Sequence, residues 1–212
     1  FLITSLEHVS TVSLGTALEE DAGIKLTVVE ADRGDGEFLE TLKSSLSEAT
    51  KLLCISHVAS PDGRILPVAK AAALAHDRGV PVVVDTAQSL GQFPVDVPAL
   101  GCDFMVGSGH KWLLGPTGVG ILWVSSDQLS MFKPDPVPER EPWSMPNSPL
   151  AATTAQHMSE KGTNSSAMVI GTGHAIDIID QIGIDVIADY SNRLSMILRD
   201  EVLNIAGVNI LT

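Results

Sequence analysis

Residues 82–124 read VVVDTAQSLGQFPVDVPALGCDFMVGSGHKWLLGPTGVGILWV, and they give the strongest indication of the fold. It contains three apolar runs, at residues 81–85, 102–106 and 118–124, with Gly, Pro or polar residues at their borders. Short apolar runs with such borders are typical of buried β-strands. A short loop rich in Gly and Pro joins the second and third runs, so we predict that the third strand runs antiparallel to the second.

The rest of the chain alternates between apolar runs and amphipathic stretches. The predicted strands lie at residues 1–6, 25–31 and 51–58, and the predicted helices at residues 11–22, 37–49 and 68–78. Strands joined by helices form a mostly parallel sheet that is covered on both faces. The predicted fold is therefore α/β, a three-layer sandwich with a mostly parallel sheet of about six strands and one antiparallel strand.

The carboxyl-terminal third has a different pattern. Residues 133–164 contain several prolines and no period, which predicts an irregular excursion. After it, we predict helices at residues 166–182 and 185–206 and a final strand at residues 208–211.

Composition excludes several classes of protein. The chain has 13 Lys and Arg against 26 Asp and Glu, a net charge of −13, and no visible basic patch. We therefore expect no nucleic-acid partner and no binding to an anionic membrane surface. No apolar run reaches the roughly 18 residues that a membrane span needs. Cys54 and Cys102 lie in apolar runs and predict buried thiols in a reducing compartment, which favours the cytoplasm.

Polar residues follow four of the predicted strands. Ligands of an open parallel sheet bind beyond the carboxyl ends of its strands, so these residues are candidates for a site. Asp85 follows a buried strand and needs a partner there, although a helix cap or a ribose-binding acid has the same pattern. Lys111, between glycines and beside apolar residues, is a candidate amine nucleophile, although a lone lysine often reaches the surface instead. The four groups are residues 7–8, 57–60, 85–88 and 108–111.

Taken together, these residues match the needs of pyridoxal phosphate (PLP). This cofactor requires a lysine for a Schiff base, a carboxylate at the ring nitrogen and donors for the phosphate. The order D-x-A-Q, S-G-H-K and G-P-x-G over residues 85–118 closely resembles the class V aminotransferase family. That family contains cysteine desulfurases, selenocysteine lyases and isopenicillin-N epimerase-like enzymes. The resemblance extends over essentially the whole chain and implies fold type I of the PLP-dependent transferases.

The resemblance implies a role for each matching residue. Asp85 would pair with the pyridine nitrogen, Gln88 would bind the phenolic oxygen, and His8 would stack on the ring. Lys111 would be the Schiff-base lysine. Thr163 would reach the phosphate of a neighbouring subunit, which implies a homodimer. The implied cofactor-binding residues are His8, Ser60, Asp85, Gln88, Ser108, His110, Lys111 and Thr163, and Lys111 and His8 are also the implied catalytic residues.

Two departures from the desulfurase pattern bear on the activity. Ser60 stands where desulfurases of this class usually have Asn, and the segment HKWLLGPTG is one residue longer than usual. Both features resemble the epimerase and lyase branch. The implied function is a PLP enzyme acting on an amino acid, of the cysteine desulfurase or C–S lyase kind. An epimerase or aminotransferase, and an inactive fragment with a structural or interaction role, remain alternatives.

Members of this family are much longer than 212 residues, so the resemblance implies a central fragment. Residues 1–183 would form most of the PLP-binding domain, and residues 184–212 would begin a small, truncated domain. An upstream phosphate cradle and a downstream substrate-binding Arg and sulfur-accepting Cys would be missing, so we expect the isolated fragment to be inactive. Other enzyme classes fit less well, because the chain has neither a G-x-G-x-x-G nor a P-loop motif for nucleotides. It also has no H-E-x-x-H or C-x-x-C motif, so we expect no metal.

Overall fold

The computed structural model describes residues 1–131 and 165–210. These ranges contain six strands: β1 (Leu2–Thr4), β2 (Thr27–Val29), β3 (Leu53–Ser56), β4 (Val82–Asp85), β5 (Phe104–Ser108) and β6 (Gly120–Val124). The helices are α1 (Val9–Ala22), α2 (Asp35–Ser45), α3 (Val68–His76), α4 (Val97–Leu100), α5 (Ser166–Ile182) and α6 (Ile184–Leu203), with a 3₁₀ helix at Ser126–Met131.

The strands form one mixed sheet in the order β2-β1-β3-β4-β5-β6. All neighbouring pairs are parallel except β5 and β6, which are antiparallel with Ser108 opposite Gly120. The predicted α/β fold, with a mostly parallel sheet and one antiparallel strand, is confirmed. The strand predicted at residues 208–211 is wrong for residues 208–210, which are irregular because none of the described strands pairs with them. Residue 211 lies outside the described residues. The excursion predicted at residues 133–164 lies outside the described residues.

The main core lies between one face of the sheet and the helices α2 and α3. Because α3 presents alanines to the sheet, its backbone can approach the strands closely. Burying each large apolar side chain contributes about 1.5–3 kcal/mol. The largest contributors from the strands and from α2 are Leu2, Leu53, Ile55, Val82, Val84, Phe38 and Leu42, and the packed alanines of α3 are Ala71, Ala72 and Ala75.

The surface of the helices α1, α5 and α6 is partly apolar. On α5, for example, Val169 and Ile170 are both exposed by more than half. Within the described residues, no helix is both long enough and apolar enough to cross a membrane.

Candidate active site

A cavity of about 340 Å³ opens at the carboxyl ends of the parallel strands. Seven of the eight predicted site residues line it, and the eighth, Thr163, lies outside the described residues. Three further lining residues had no predicted role: Val58 and Ala87, which lie in the predicted candidate groups, and Ser10, which lies outside them. Ser10 could have been found from its place two residues after His8, where a helix N-terminus is capped. The predicted residues at the cavity are His8, Ser60, Asp85, Gln88, Ser108, His110 and Lys111.

Asp85 is the last residue of β4, and the turn after it fixes its carboxylate. Asp85 Oδ1 accepts the backbone N–H of Ala87 at 2.8 Å. Thr86 is fully buried, and both its backbone N–H and its hydroxyl donate to the Val106 carbonyl of β5, at 2.8 and 2.9 Å. Within the described residues, Asp85 Oδ2 has no hydrogen-bond donor, so one carboxylate oxygen is available to a ligand.

Lys111 lies in the loop between β5 and β6, and backbone hydrogen bonds close that loop. The N–H of Gly109 donates to the Val119 carbonyl at 2.8 Å, and the N–H of Gly115 donates to the Gly109 carbonyl at 2.8 Å. A Cβ at position 115 would lie 2.8 Å from that same carbonyl oxygen, so the closure requires glycine. Lys111 is half-buried, and its Nζ forms no ion pair with any described residue.

His8 caps the amino end of α1. Its Nδ1 accepts the backbone N–H of Ser10 at 3.2 Å and lies 2.7 Å from the Ser10 hydroxyl. An imidazole nitrogen that accepts a backbone N–H carries no hydrogen itself, so the neutral ring has its proton on Nε2. The cap therefore fixes both the tautomer and the place of the ring at the cavity edge.

Gln88 lies in the turn after β4 and contacts Trp112 of the next loop. Trp112 Nε1 donates its hydrogen to Gln88 Oε1 at 3.0 Å. Gln88 was a predicted site residue, whereas no role was predicted for Trp112. No sequence pattern could have revealed this contact, because the two residues are 24 positions apart.

Three further polar residues line the cavity. Ser108 ends β5, His110 is exposed two residues later, and Ser60 is exposed beyond the end of β3. Their hydroxyl and imidazole groups can donate hydrogen bonds to an anionic group such as a phosphate. Within the ranges that the structure describes, no three His, Cys, Asp or Glu side chains form a group that could hold a metal ion.

Glu7 lies behind the cavity and is 5% exposed. Burial raises the pKa of its carboxyl group, and the donors Ser56 and Thr4 partly offset this. The nearby Asp85 carboxylate adds a small further rise in the pKa of Glu7. The sequence analysis placed Glu7 in a candidate group but assigned it no role.

Neither cysteine lines the cavity. Cys54 and Cys102 are both buried and free. Burial raises the pKa of the Cys54 thiol strongly and that of Cys102 to about 11. Both are therefore protonated and poorly nucleophilic at neutral pH.

The chain is also similar in sequence and in fold to known proteins. A cysteine desulfurase from Escherichia coli (strain SE11) is 36% identical in an alignment over 202 residues that covers 91% of this chain and 48% of the relative. The chain thus spans about half the length of the curated relatives that it matches.

Two solved structures of the protein C-DES are similar in fold. One, a variant with glycine covalently linked to its PLP cofactor, has a TM-score of 0.81 and 26% identity, covering 97% of this chain and 55% of C-DES. The other, a complex of the cystine C-S lyase with its product cysteine persulfide, has a TM-score of 0.74 and 28% identity, covering 86% and 50%. The sequence model of the family "Aminotransferase class-V" matches residues 1–212. This chain therefore belongs to the class V aminotransferase family.

Proposed function

We propose that this chain is the PLP-binding part of an enzyme that breaks the C–S bond of a sulfur-containing amino acid. The observation that carries the proposal is that Asp85 and Lys111, which follow different strands, line one cavity. The relatives named as cysteine desulfurase and as cystine C-S lyase support this class of reaction. The division into a PLP-binding domain over residues 1–183 and the start of a small domain over residues 184–212 is part of the proposal.

The chemistry of the lining residues fits PLP. The cavity volume lies within the range of about 300–1,000 Å³ that is usual for small-molecule sites. Asp85 Oδ2 is available for a protonated pyridine nitrogen, and the Lys111 amine is available for the aldehyde. Ser60, Ser108 and His110 offer donors for the phosphate.

Each residue then has a task in the reaction. Bound PLP would supply a sink for the electrons left at the substrate Cα. Lys111 would hold the cofactor until the substrate amine displaces it, and its freed Nζ would then take the proton from Cα. Asp85 would keep the ring nitrogen protonated through its negative charge. His8 would cover one face of the ring and exclude water from it.

Two outcomes of C–S cleavage are compatible with these residues. A desulfurase passes the sulfur of cysteine to an enzyme thiol and releases alanine; that thiol would be neither Cys54 nor Cys102, which are buried and do not line the cavity. A lyase eliminates the sulfur group and, with water, gives pyruvate and ammonia. Ser60 and the longer loop after Lys111 favour the epimerase and lyase branch over the desulfurases. An epimerase would instead return the proton to the other face of Cα.

We also propose a homodimer in which Thr163 contributes to the partner's phosphate site. Exposed apolar side chains on α1 and α5, such as Leu14 and Ile170, support this proposal. Such exposed apolar surface is typical of a contact with another protein chain. The buried free thiols Cys54 and Cys102 favour a reducing compartment, and we propose the cytoplasm.

The test of the cofactor assignment is chemical. PLP is added to the purified protein, the adduct is reduced with borohydride, and the modified peptide is identified by mass spectrometry. We expect the label on Lys111. The Lys111→Ala variant should lose both the label and the visible absorbance of the bound cofactor, whereas Lys70→Ala, which changes an exposed lysine of α3, should keep both. A label that persists in Lys111→Ala contradicts the assignment.

The reaction class is tested on the products. The whole PLP-loaded enzyme of which this chain is a part is incubated with cysteine or cystine, and alanine, pyruvate and sulfane sulfur are measured. Pyruvate from cystine supports a lyase, and alanine with sulfane sulfur supports a desulfurase. Racemised substrate with neither product would contradict C–S cleavage and favour an epimerase.

A further inference from the structure

The Trp112 indole fixes the orientation of the Gln88 amide. Its Nε1 hydrogen is donated to Gln88 Oε1 at 3.0 Å. An indole N–H can only donate, and of the two polar atoms of an amide only the oxygen can accept. The contact therefore turns the amide nitrogen of Gln88 away from Trp112.

The Gln88 amide nitrogen is left available to a ligand. Gln88 lines the cavity, and within residues 1–131 and 165–210 its Nε2 hydrogens have no acceptor. Without the indole, the amide could turn over and present its oxygen to the ligand instead. A negatively charged ligand oxygen binds a donor but is repelled by an acceptor.

The backbone independently holds Trp112 against the turn of Gln88. Gly91 ends this turn with φ 94, and a Cβ there would lie 2.7 Å from the Trp112 carbonyl and from the Leu113 nitrogen. The two loops thus touch backbone to backbone. Leu113 is buried, whereas Trp112 is 42% exposed, so the indole contributes little to the core.

We propose that Trp112 is a positioning residue, which holds the Gln88 amide so that its nitrogen donates to the phenolic oxygen of PLP. This inference rests on the proposed function. Trp112 does not line the cavity and acts only through Gln88.

The proposal predicts the direction of a spectroscopic change. A donor at the phenolic oxygen draws negative charge from it and so lowers the proton affinity of the Lys111 nitrogen that is joined to the cofactor. Loss of the indole donor should therefore raise the pH midpoint of the cofactor's visible absorbance. We expect a rise of about half a unit to one unit, a roughly threefold to tenfold change in proton affinity.

The first experiment is a pH titration of the PLP-loaded protein. We expect Trp112→Phe and Gln88→Leu each to raise the midpoint, and the double variant to raise it no further than Gln88→Leu. The matched control is Trp123→Phe, which removes an indole from β6 and should leave the midpoint unchanged. An unchanged midpoint in Trp112→Phe, or additive shifts in the double variant, would overturn the proposal.

The second experiment needs no cofactor. In a ¹H–¹⁵N NMR spectrum of the protein, Gln88→Leu should move the indole N–H resonance of Trp112 and leave that of Trp123 in place. An unmoved Trp112 resonance overturns the contact and the inference with it. If the resonance moves but the midpoint does not, the inference alone fails. If no PLP binds at Lys111, the proposed function itself fails, and the two failures are thus distinguished.

Discussion

Two hydrogen bonds join Ser56 to Glu7. The backbone N–H of Ser56 donates to Glu7 Oε1 at 3.0 Å, and its hydroxyl donates to Oε2 at 2.6 Å. The Thr4 hydroxyl donates to Oε1 at 2.6 Å. Because Ser56 pairs with Asp85 across β3 and β4, Glu7 ties the segment that carries His8 to the strand ends behind the cavity.

Replacing Glu7 should destabilise the fold. In Glu7→Ala, the Ser56 N–H and two hydroxyls would lose their acceptor in a buried place, and each such buried group costs about 1–3 kcal/mol. We expect the free energy of unfolding in urea to fall by more than about 2 kcal/mol. The control is Glu37→Ala on α2, which removes only an exposed pair with Arg33 and should cost less than about 1 kcal/mol. Equal losses in both variants would contradict this account.

His57 should make stability depend on pH. It is buried, its Nδ1 lies 3.1 Å from the Ser89 hydroxyl, and burial lowers its pKa. The unfolded chain therefore binds the proton more tightly than the folded one, and stability is lost as the pH falls below the ordinary value of 6.5.

Unfolding free energies of His57→Gln, measured at several pH values on both sides of 6.5, should lose part of this dependence. His174→Gln, on the exposed surface of α5, is the control and should keep it. The same pH slope in all three proteins would show that His57 does not contribute.

The two thiols should be unreactive in the native protein. Because Cys54 and Cys102 are buried and their pKa values are raised, a thiol reagent such as Ellman's reagent should label them only as fast as the protein unfolds. In urea, both should react at once. Fast labelling of the native protein would mean that one of the thiols is accessible after all.

Gly91→Ala should disturb the contact between the two site loops. The new Cβ would meet the backbone of Trp112 and Leu113 at 2.7 Å in a residue with φ 94. We expect a loss of about 2 kcal/mol or more in unfolding free energy, and weaker PLP uptake. The matched control is Gly63→Ala, with φ 76 but nothing within 4 Å of the new Cβ. It should cost only the backbone strain, about 1–2 kcal/mol. A smaller loss in Gly91→Ala than in this control would contradict the steric argument.

The sheet could be predicted because buried parallel strands are continuous apolar runs. Five of the six strands lie within the predicted ranges and are shorter than predicted, as in β1 (Leu2–Thr4) against residues 1–6. The exception is β5 (Phe104–Ser108), which is shifted two residues beyond the predicted range of 102–106. Apolar burial continues past the last paired residue: Leu6 is buried although it lies outside β1. The four-residue helix α4 was missed because four residues are too few to show a helical period of apolar residues. Its start is marked only by a local cap, in which Asp96 Oδ1 accepts the Ala99 N–H.

The site could be predicted where polar residues interrupt an apolar pattern. Asp85 and Lys111 stand out because each follows a buried strand, and the resemblance then assigned them roles that stay predictions. Trp112 could not be found in this way. An apolar residue beside a lysine suggests packing, and only the folded chain shows that its N–H meets an amide from the neighbouring loop.

The antiparallel pairing of β6 with β5 limits how far Lys111 can travel. The pairing extends from Phe104 opposite Val124 to Ser108 opposite Gly120, so both ends of the lysine loop are anchored in the sheet. The Gly109 N–H, which donates to the Val119 carbonyl, continues this anchoring to within two residues of Lys111, so the backbone at Lys111 is held beside the sheet. A reactant must therefore come to the Lys111 amine. The size and shape of that reactant, more than any movement of the lysine side chain, determine whether the two can react.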